Sequence, residues 1–313
     1  MKRLVLTLLL VSLFTLTFAV VKVGITQIVE HPALNKIYEG IVDVLNSSGL
    51  DVEIEYQNAQ NVFQNAIAIA KKLKTDVDII VAIATPSAQA AATEIKDKPV
   101  VFSAVTDPIS AGLIPKFGKN SGNVVGISDM VPVETHVKLI KTIFPNAKNL
   151  AVLYNPGEAN SVFIAQETKK YGSQIGLNVI EITGTSANEL VTSLHANANR
   201  IDVAYLSTDN LVASSAEILG QVFEKLGIPV VAGDIDIARN TAVLGFGFDY
   251  YQAGVETGQI VLEIINGKKP SEIESRIVSA EALTFYINLD RAKKLNITIP
   301  QEFLEIADEI VGG

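Results

Sequence analysis

Twelve residues of this 313-residue chain have side chains suited to holding a small polar molecule, and each follows closely on a strand-like apolar run. They are Gln27 and Glu30, Thr85 and Ser87, Thr106 and Asp107, Asn155, Glu158 and Asn160, Thr208 and Asp209, and Asp234. His31, Ser161, Ser207 and Asn210 stand beside them, and neither lysine nor arginine interrupts the set. Thr85 and Ser87 flank Pro86, a good first-turn residue, so two hydroxyls meet the unpaired N–H groups of a helix start. That arrangement suits a carboxylate. An acidic residue of the set would suit an ammonium group. The same residues also fit structural roles. Thr85 and Ser87 could cap their helix, Asp107 before Pro108 has the form of a turn, Asp209-Asn210 has the form of an N-cap, and Asp234 has an acidic neighbour in Asp236.

Catalysis finds little support in the same residues. The histidines are His31, His136 and His195, and the last two sit in helix-like segments. No Gly-x-Ser-x-Gly elbow, Walker loop or His-Glu-x-x-His helix occurs, and Gly245-Phe246-Gly247 lacks the third glycine of a dinucleotide loop. Glu30 with His31 could support acid–base chemistry, but no nucleophile or metal partner accompanies them. The chain has no cysteine, which rules out disulfides and thiolate chemistry. No cofactor is expected. A formal charge of −9 disfavours nucleic acid and anionic membranes.

Lys2 and Arg3 precede an uncharged apolar stretch from Leu4 to Phe18 and then Ala19. This is the layout of an export leader, and about 15 apolar residues fall short of the roughly 20 that a helical span needs. Residues 1–19 are therefore expected to be removed. With no cysteine available to carry a lipid, the mature protein is expected to be soluble and periplasmic.

Beyond the leader, apolar runs alternate with helix-length segments, which predicts α/β architecture with parallel sheets. The first half reads as strands Val20–Ile25, Val52–Tyr56, Asp78–Ala84, Pro99–Ala104 and Asn123–Ile127, with helices over Ala33–Asn46 and Val62–Leu73 and another opening at Pro86. The second half repeats it. Gly176-Leu177-Asn178-Val179 echoes Gly49-Leu50-Asp51-Val52, Asp202–Leu206 echoes Asp78–Ala82, and Pro229-Val230-Val231 echoes Pro99-Val100-Val101, at offsets of 127, 124 and 130. The pattern predicts two doubly wound lobes. The last third departs from the repeat, with a strand Ala242–Phe248, a helix Tyr250–Ile265, a strand near Leu283–Ile287 and two short helices. Adding elements to both lobes after the second copy requires three crossings, placed near Ser128–Val133, Phe248–Tyr251 and Ala280–Leu283. The expected lobes are residues 20–130 with 249–280, and 131–248 with 281–313. Ligands of open parallel sheets bind beyond the carboxyl ends of the strands, where the twelve residues fall.

Several blocks carry a family likeness: Gln27–Leu34 with its His-Pro-Ala-Leu, Ala84–Gln89, Ala104-Val105-Thr106-Asp107-Pro108, Tyr154–Ser161, Thr208-Asp209-Asn210 and Asp249–Gly254. Through them the chain resembles the ABC-importer substrate-binding family that includes bacterial tryptophan-binding lipoproteins. The resemblance implies a type I periplasmic-binding fold of two lobes joined by three crossings, a monomer that delivers its ligand to an ABC permease in the inner membrane, and an aromatic L-amino acid as ligand, tryptophan first. It also implies a backbone site of Thr85, Ser87 and Thr106, with Asp234 or Asp209 for the ammonium and Asn155, Glu158 and Asn160 closing from the second lobe. Many relatives are lipid-anchored through a cysteine that this chain lacks. A ligand-sensing receptor of the same fold, a binding protein for another small polar solute and a hydrolase using Glu30 and His31 are the competing readings.

Overall fold

The computed structural model describes residues 20–313, so the expected leader lies outside the described residues. Two seven-stranded sheets form the scaffold. The first comprises β1 (Val21–Gln27), β2 (Val52–Asn58), β3 (Ile79–Ile83), β4 (Val100–Ser103), β5 (Gly118–Lys119), β6 (Val124–Ser128) and, from far along the chain, β12 (Glu274–Ile277). The second comprises β7 (Asn149–Tyr154), β8 (Asn178–Thr183), β9 (Val203–Leu206), β10 (Val230–Ala232), β11 (Leu244–Phe248), β13 (Leu283–Asn288) and β14 (Glu309–Val311). Their orders, β2-β1-β3-β4-β6-β12-β5 and β8-β7-β9-β10-β11-β13-β14, wind identically through the first five strands. The repeated sequence thus corresponds to a repeated topology.

Each echo marks an equivalent place in the two lobes. Gly49 (φ 73°) and Gly176 (φ 77°) both turn the chain from a helix into the neighbouring edge strand, in a conformation that glycine adopts without cost. Asp78 accepts the backbone N–H of Lys22 at 2.9 Å, and Asp202 accepts those of Lys148 and Asn149, both at 2.8 Å. In both lobes one carboxylate ties the start of the first strand to that of its neighbour.

The helices are α1 (Pro32–Ser47), α2 (Phe63–Asp76), α3 (Thr85–Glu94), α4 (Val133–Ile143), α5 (Ala159–Gln174), α6 (Ala187–Asn197), α7 (Asn210–Ser214), α8 (Ala216–Leu226), α9 (Ile235–Thr241), α10 (Tyr250–Ile265), α11 (Leu289–Lys294) and α12 (Gln301–Ile306). After β11 the chain returns to the first lobe as α10, which lies directly on α1. A Cβ on Gly254 would stand 2.3 Å from the Ile37 carbonyl oxygen, and one on Gly40 would stand 2.4 Å from that of Tyr251. Only glycine permits this backbone approach. The chain therefore crosses between the sheets three times, after β6, after β11 and between β12 and β13.

Two strands end one residue earlier than their apolar runs. Ala84 and Ala104 have φ of 73° and 50°, so the backbone leaves β3 and β4 sharply at those positions. The short strands β5, β12 and β14 were not expected. No helix among the described residues is long and apolar enough to cross a membrane.

Candidate functional site

The carboxyl ends of both sheets face one another around a narrow cavity of about 20 Å³. From the first lobe come His31 and Leu34 at the start of α1, Ala84 and Thr85 after β3, Ala104 and Thr106 after β4, and Asp129 after β6. The second lobe supplies Asn160, Thr208, Asp209, Asn210, Ala213 and Asp234. Tyr250, at the returning crossing, completes the wall.

Thr85 and Ser87 open α3, yet neither caps it. The N-cap is Ala84, with no side-chain hydrogen bond. The hydroxyls of Thr85 and Ser87 are both buried, and neither has a hydrogen-bond partner among the described residues. An unmade bond at a buried polar atom costs about 1–3 kcal/mol. The left-handed alanines on either side of this wall hold backbone that L-residues rarely adopt, which is typical of sites shaped for a ligand.

Opposite in character, the remaining wall is acidic. Asp129 accepts hydrogen bonds from Thr106 (3.1 Å) and Tyr250 (3.0 Å), and burial raises its pKa to about 6. Asp234 caps α9 by accepting the Ile237 N–H at 2.9 Å, and burial together with neighbouring Asp236 raises it to about 7. Asp209 is tied on both oxygens, to Val212 N–H and Asn155 N–H at 2.7 Å each, and burial raises its pKa too. Burial, then the Asp209 charge, lifts Glu158 to about 7. Among the described residues no lysine or arginine lines the cavity, so these carboxyls lack the cation that would favour their ionised forms.

The expected residues separate into three groups by position. Thr85, Thr106, Asn160, Thr208, Asp209 and Asp234 line the cavity. Ser87 lies in the first turn of α3, fully buried. The remaining five stand outside the wall. Glu30 is exposed. Asp107 accepts the N–H groups of Ile109 and Ser110 as a turn residue. Gln27 donates to Val29 O and Asn35 Oδ1. Asn155 folds its own turn by accepting Gly157 N–H at 2.9 Å. Glu158 is absent from the cavity wall and accepts the Asn210 side-chain amide and backbone N–H, which orients Asn210.

Sequence reasoning did not place Asp129 or Tyr250 in the site. Both lie in the inter-lobe crossings, read there only as connections, although an acidic residue directly after a strand was a usable signal for Asp129.

The lobes touch across the cavity. Thr106 Oγ1 lies 3.0 Å from Thr208 Oγ1, His31 Nε2 lies 3.4 Å from Asn210 Oδ1, and Lys36 pairs with Asp236 at 2.7 Å. This is a closed arrangement.

Residues 22–311 match the family described as ABC transporter substrate binding protein. The chain belongs to that family. A tyrosine-binding protein of Clostridioides difficile is 35% identical over 280 residues, covering 88% of this chain and 81% of that protein. An ABC domain of Streptococcus pneumoniae in complex with L-Trp is 31% identical and superposes with a TM-score of 0.89, covering 94% of this chain and all of that one. A ligand-free, open substrate-binding protein with adhesive properties from Clostridium difficile is 36% identical with the same coverage of both chains, yet its TM-score is 0.69. The greater identity goes with the poorer superposition, so the difference is one of shape. This ABC substrate-binding protein superposes better on the L-Trp complex than on the open, ligand-free structure, and it has the type I periplasmic-binding fold that far more distant solute-binding structures share.

Proposed function

We propose that this substrate-binding protein captures an aromatic L-amino acid, tryptophan or tyrosine, between its lobes and presents it to an ABC permease as a monomer. The lobes comprise residues 20–130 with 249–280 and 131–248 with 281–313. The observation that carries the reading is the polarity of the cavity. One group is the buried hydroxyls of Thr85 and Ser87 at the start of α3, which have no hydrogen-bond partner among the described residues. The other is Asp129 and Asp234, buried in a wall that holds no lysine or arginine among the described residues. A zwitterion satisfies both groups at once, its carboxylate on Thr85, Ser87 and the α3 N–H groups, its ammonium on Asp129 and Asp234. Thr208, Asp209 and Asn160 close over it from the second lobe, and contacts to both halves are what stabilise closure. The relatives named for tyrosine and solved with L-Trp support the choice of an aromatic side chain.

Mass spectrometry of the protein as purified, denatured in organic solvent, is expected to release an aromatic amino acid chemically unchanged, as binding without catalysis requires. A sugar or inorganic anion as the sole released molecule contradicts the proposal, and a hydrolysed product supports the enzyme alternative. Among the twenty amino acids, tryptophan and tyrosine are expected to raise the melting temperature most. At about 100 times the dissociation constant a ligand adds about 2.7 kcal/mol of stability.

Export is part of the same proposal. N-terminal sequencing of the protein secreted by its native host is expected to begin at Val20, in the soluble periplasmic fraction. Retention of Met1 in membranes contradicts it.

A further inference from the structure

His31 is a residue of the cavity wall whose hydrogen bonding is left half complete. It stands at the N-cap position of α1, but its side chain makes no cap bond. Its ring is 7% exposed and reaches across to the second lobe, where Nε2 meets Asn210 Oδ1. Nδ1 is buried with no hydrogen-bond partner among the described residues.

The surroundings decide which ring nitrogen carries the proton. Glu158 Oε2 accepts both the backbone N–H and the side-chain amide of Asn210, so the amide nitrogen of Asn210 points to Glu158 and its oxygen points to His31. An oxygen there can only accept, so His31 Nε2 is the donor. Burial pushes the pKa of His31 down to about 4, and the ring is neutral at physiological pH. A neutral ring that is protonated on Nε2 has a bare lone pair on Nδ1. The wall residue His31 therefore carries a buried acceptor, held in place from the opposite lobe, that no donor among the described residues fills.

We propose that His31 is a specificity-determining residue, whose Nδ1 accepts a hydrogen bond from a donor on the ligand's aromatic ring, the phenol O–H of tyrosine or the indole N–H of tryptophan. The inference rests on the proposed function and deepens it. Phenylalanine would fill the same space and leave Nδ1 without a partner, and a site built around a polar group rejects the analogue that lacks its counterpart. The bond to Asn210 links this selection to closure, since the ring is oriented only when the second lobe is in place.

The test is titration calorimetry of the full mature chain with L-Tyr, L-Trp and L-Phe, for wild type and His31→Phe. Wild type is expected to bind the better of tyrosine and tryptophan roughly 10- to 100-fold more tightly than phenylalanine. In His31→Phe that ratio is expected to fall to near one, through loss of the donor ligand's affinity. An unchanged ratio overturns the inference, as does an equal loss for all three ligands, which would assign His31 to the shared backbone end. If wild type binds none of the three, the proposed function itself fails, and the two failures are thereby distinguished. Nitrogen NMR of the wild-type His31 ring gives a readout independent of the variant's folding. Its Nδ1 resonance is expected to show an unprotonated nitrogen that shifts on adding tyrosine or tryptophan and stays in place with phenylalanine. A protonated Nδ1 in the free protein overturns the assignment.

Discussion

Asp129→Asn and Asp234→Asn are each expected to weaken aromatic amino-acid binding by about 30- to several-thousand-fold at pH 7.5. Removing one member of a buried, hydrogen-bonded charge pair costs about 2–5 kcal/mol. The amide keeps the volume and most hydrogen bonds, so the loss reports charge and not shape. These carboxyls also give binding a pH dependence of defined sign. Burial raises Asp129 to about 6 and Asp234 to about 7, above the ordinary aspartate value. A ligand ammonium favours their ionised forms, so binding releases protons between about pH 5 and 7. Affinity is expected to rise with pH through that window, by up to tenfold per unit for each group that titrates. The unliganded closed protein should do the opposite. Its folded state holds protons that the unfolded chain has already lost, so its stability falls as pH rises from about 4 to 7. Calorimetry in buffers of different ionisation enthalpy measures the protons released. Affinity independent of pH from 5 to 8, with no proton release, would remove both residues from the ammonium site.

The second large effect belongs to the start of α3. Thr85→Ala combined with Ser87→Ala is expected to abolish measurable binding. Each charge-assisted hydrogen bond contributes about 1.5–3 kcal/mol, or roughly 10- to 150-fold in affinity. The unliganded fold should be unaffected or slightly more stable, because neither hydroxyl has a hydrogen-bond partner among the described residues. If the two residues capped α3, each substitution would instead cost about 1 kcal/mol with or without ligand. Thr192→Ala with Ser193→Ala is the control. Both residues lie on α6 away from the cavity, and Thr192 bonds only to the Asn188 carbonyl. Equal affinity in the two double variants would contradict the proposed carboxylate site.

Much of the scaffold was legible because parallel strands buried on both faces read as continuous apolar runs. β3 is buried at every residue. The helix α10 was legible down to its end residues, since Asp249 caps its start and Gly267 (φ 95°) follows its end. The strands β5 (Gly118–Lys119) and β12 (Glu274–Ile277) hold no apolar run that could be seen in the sequence, and only the lobe geometry pairs them.

The site was legible in part, for a physical reason. The rule that ligands gather beyond strand ends located Thr85, Thr106, Thr208, Asp209 and Asp234. It could not tell which polar groups are used up by the protein itself. Asp107 and Asn155 bond within their own turns, while Thr85 and Ser87 have no side-chain hydrogen-bond partner among the described residues and follow Ala84, whose φ is 73°. No propensity of alanine suggests that conformation. Asp129 and Tyr250 escaped because the crossings were treated as connectors, whereas in this fold the crossings themselves form part of the wall.

The claim that both ends of a zwitterion are recognised between the lobes is tested most directly by titrating the mature protein with L-tryptophan and L-tyrosine beside their methyl esters and N-acetyl derivatives. One free amino acid is expected to bind per chain, and blocking either its carboxylate or its ammonium should remove measurable binding. Derivatives that bind as tightly as the free amino acid, or a protein that ignores every aromatic amino acid and binds a sugar or an inorganic anion, would contradict the account.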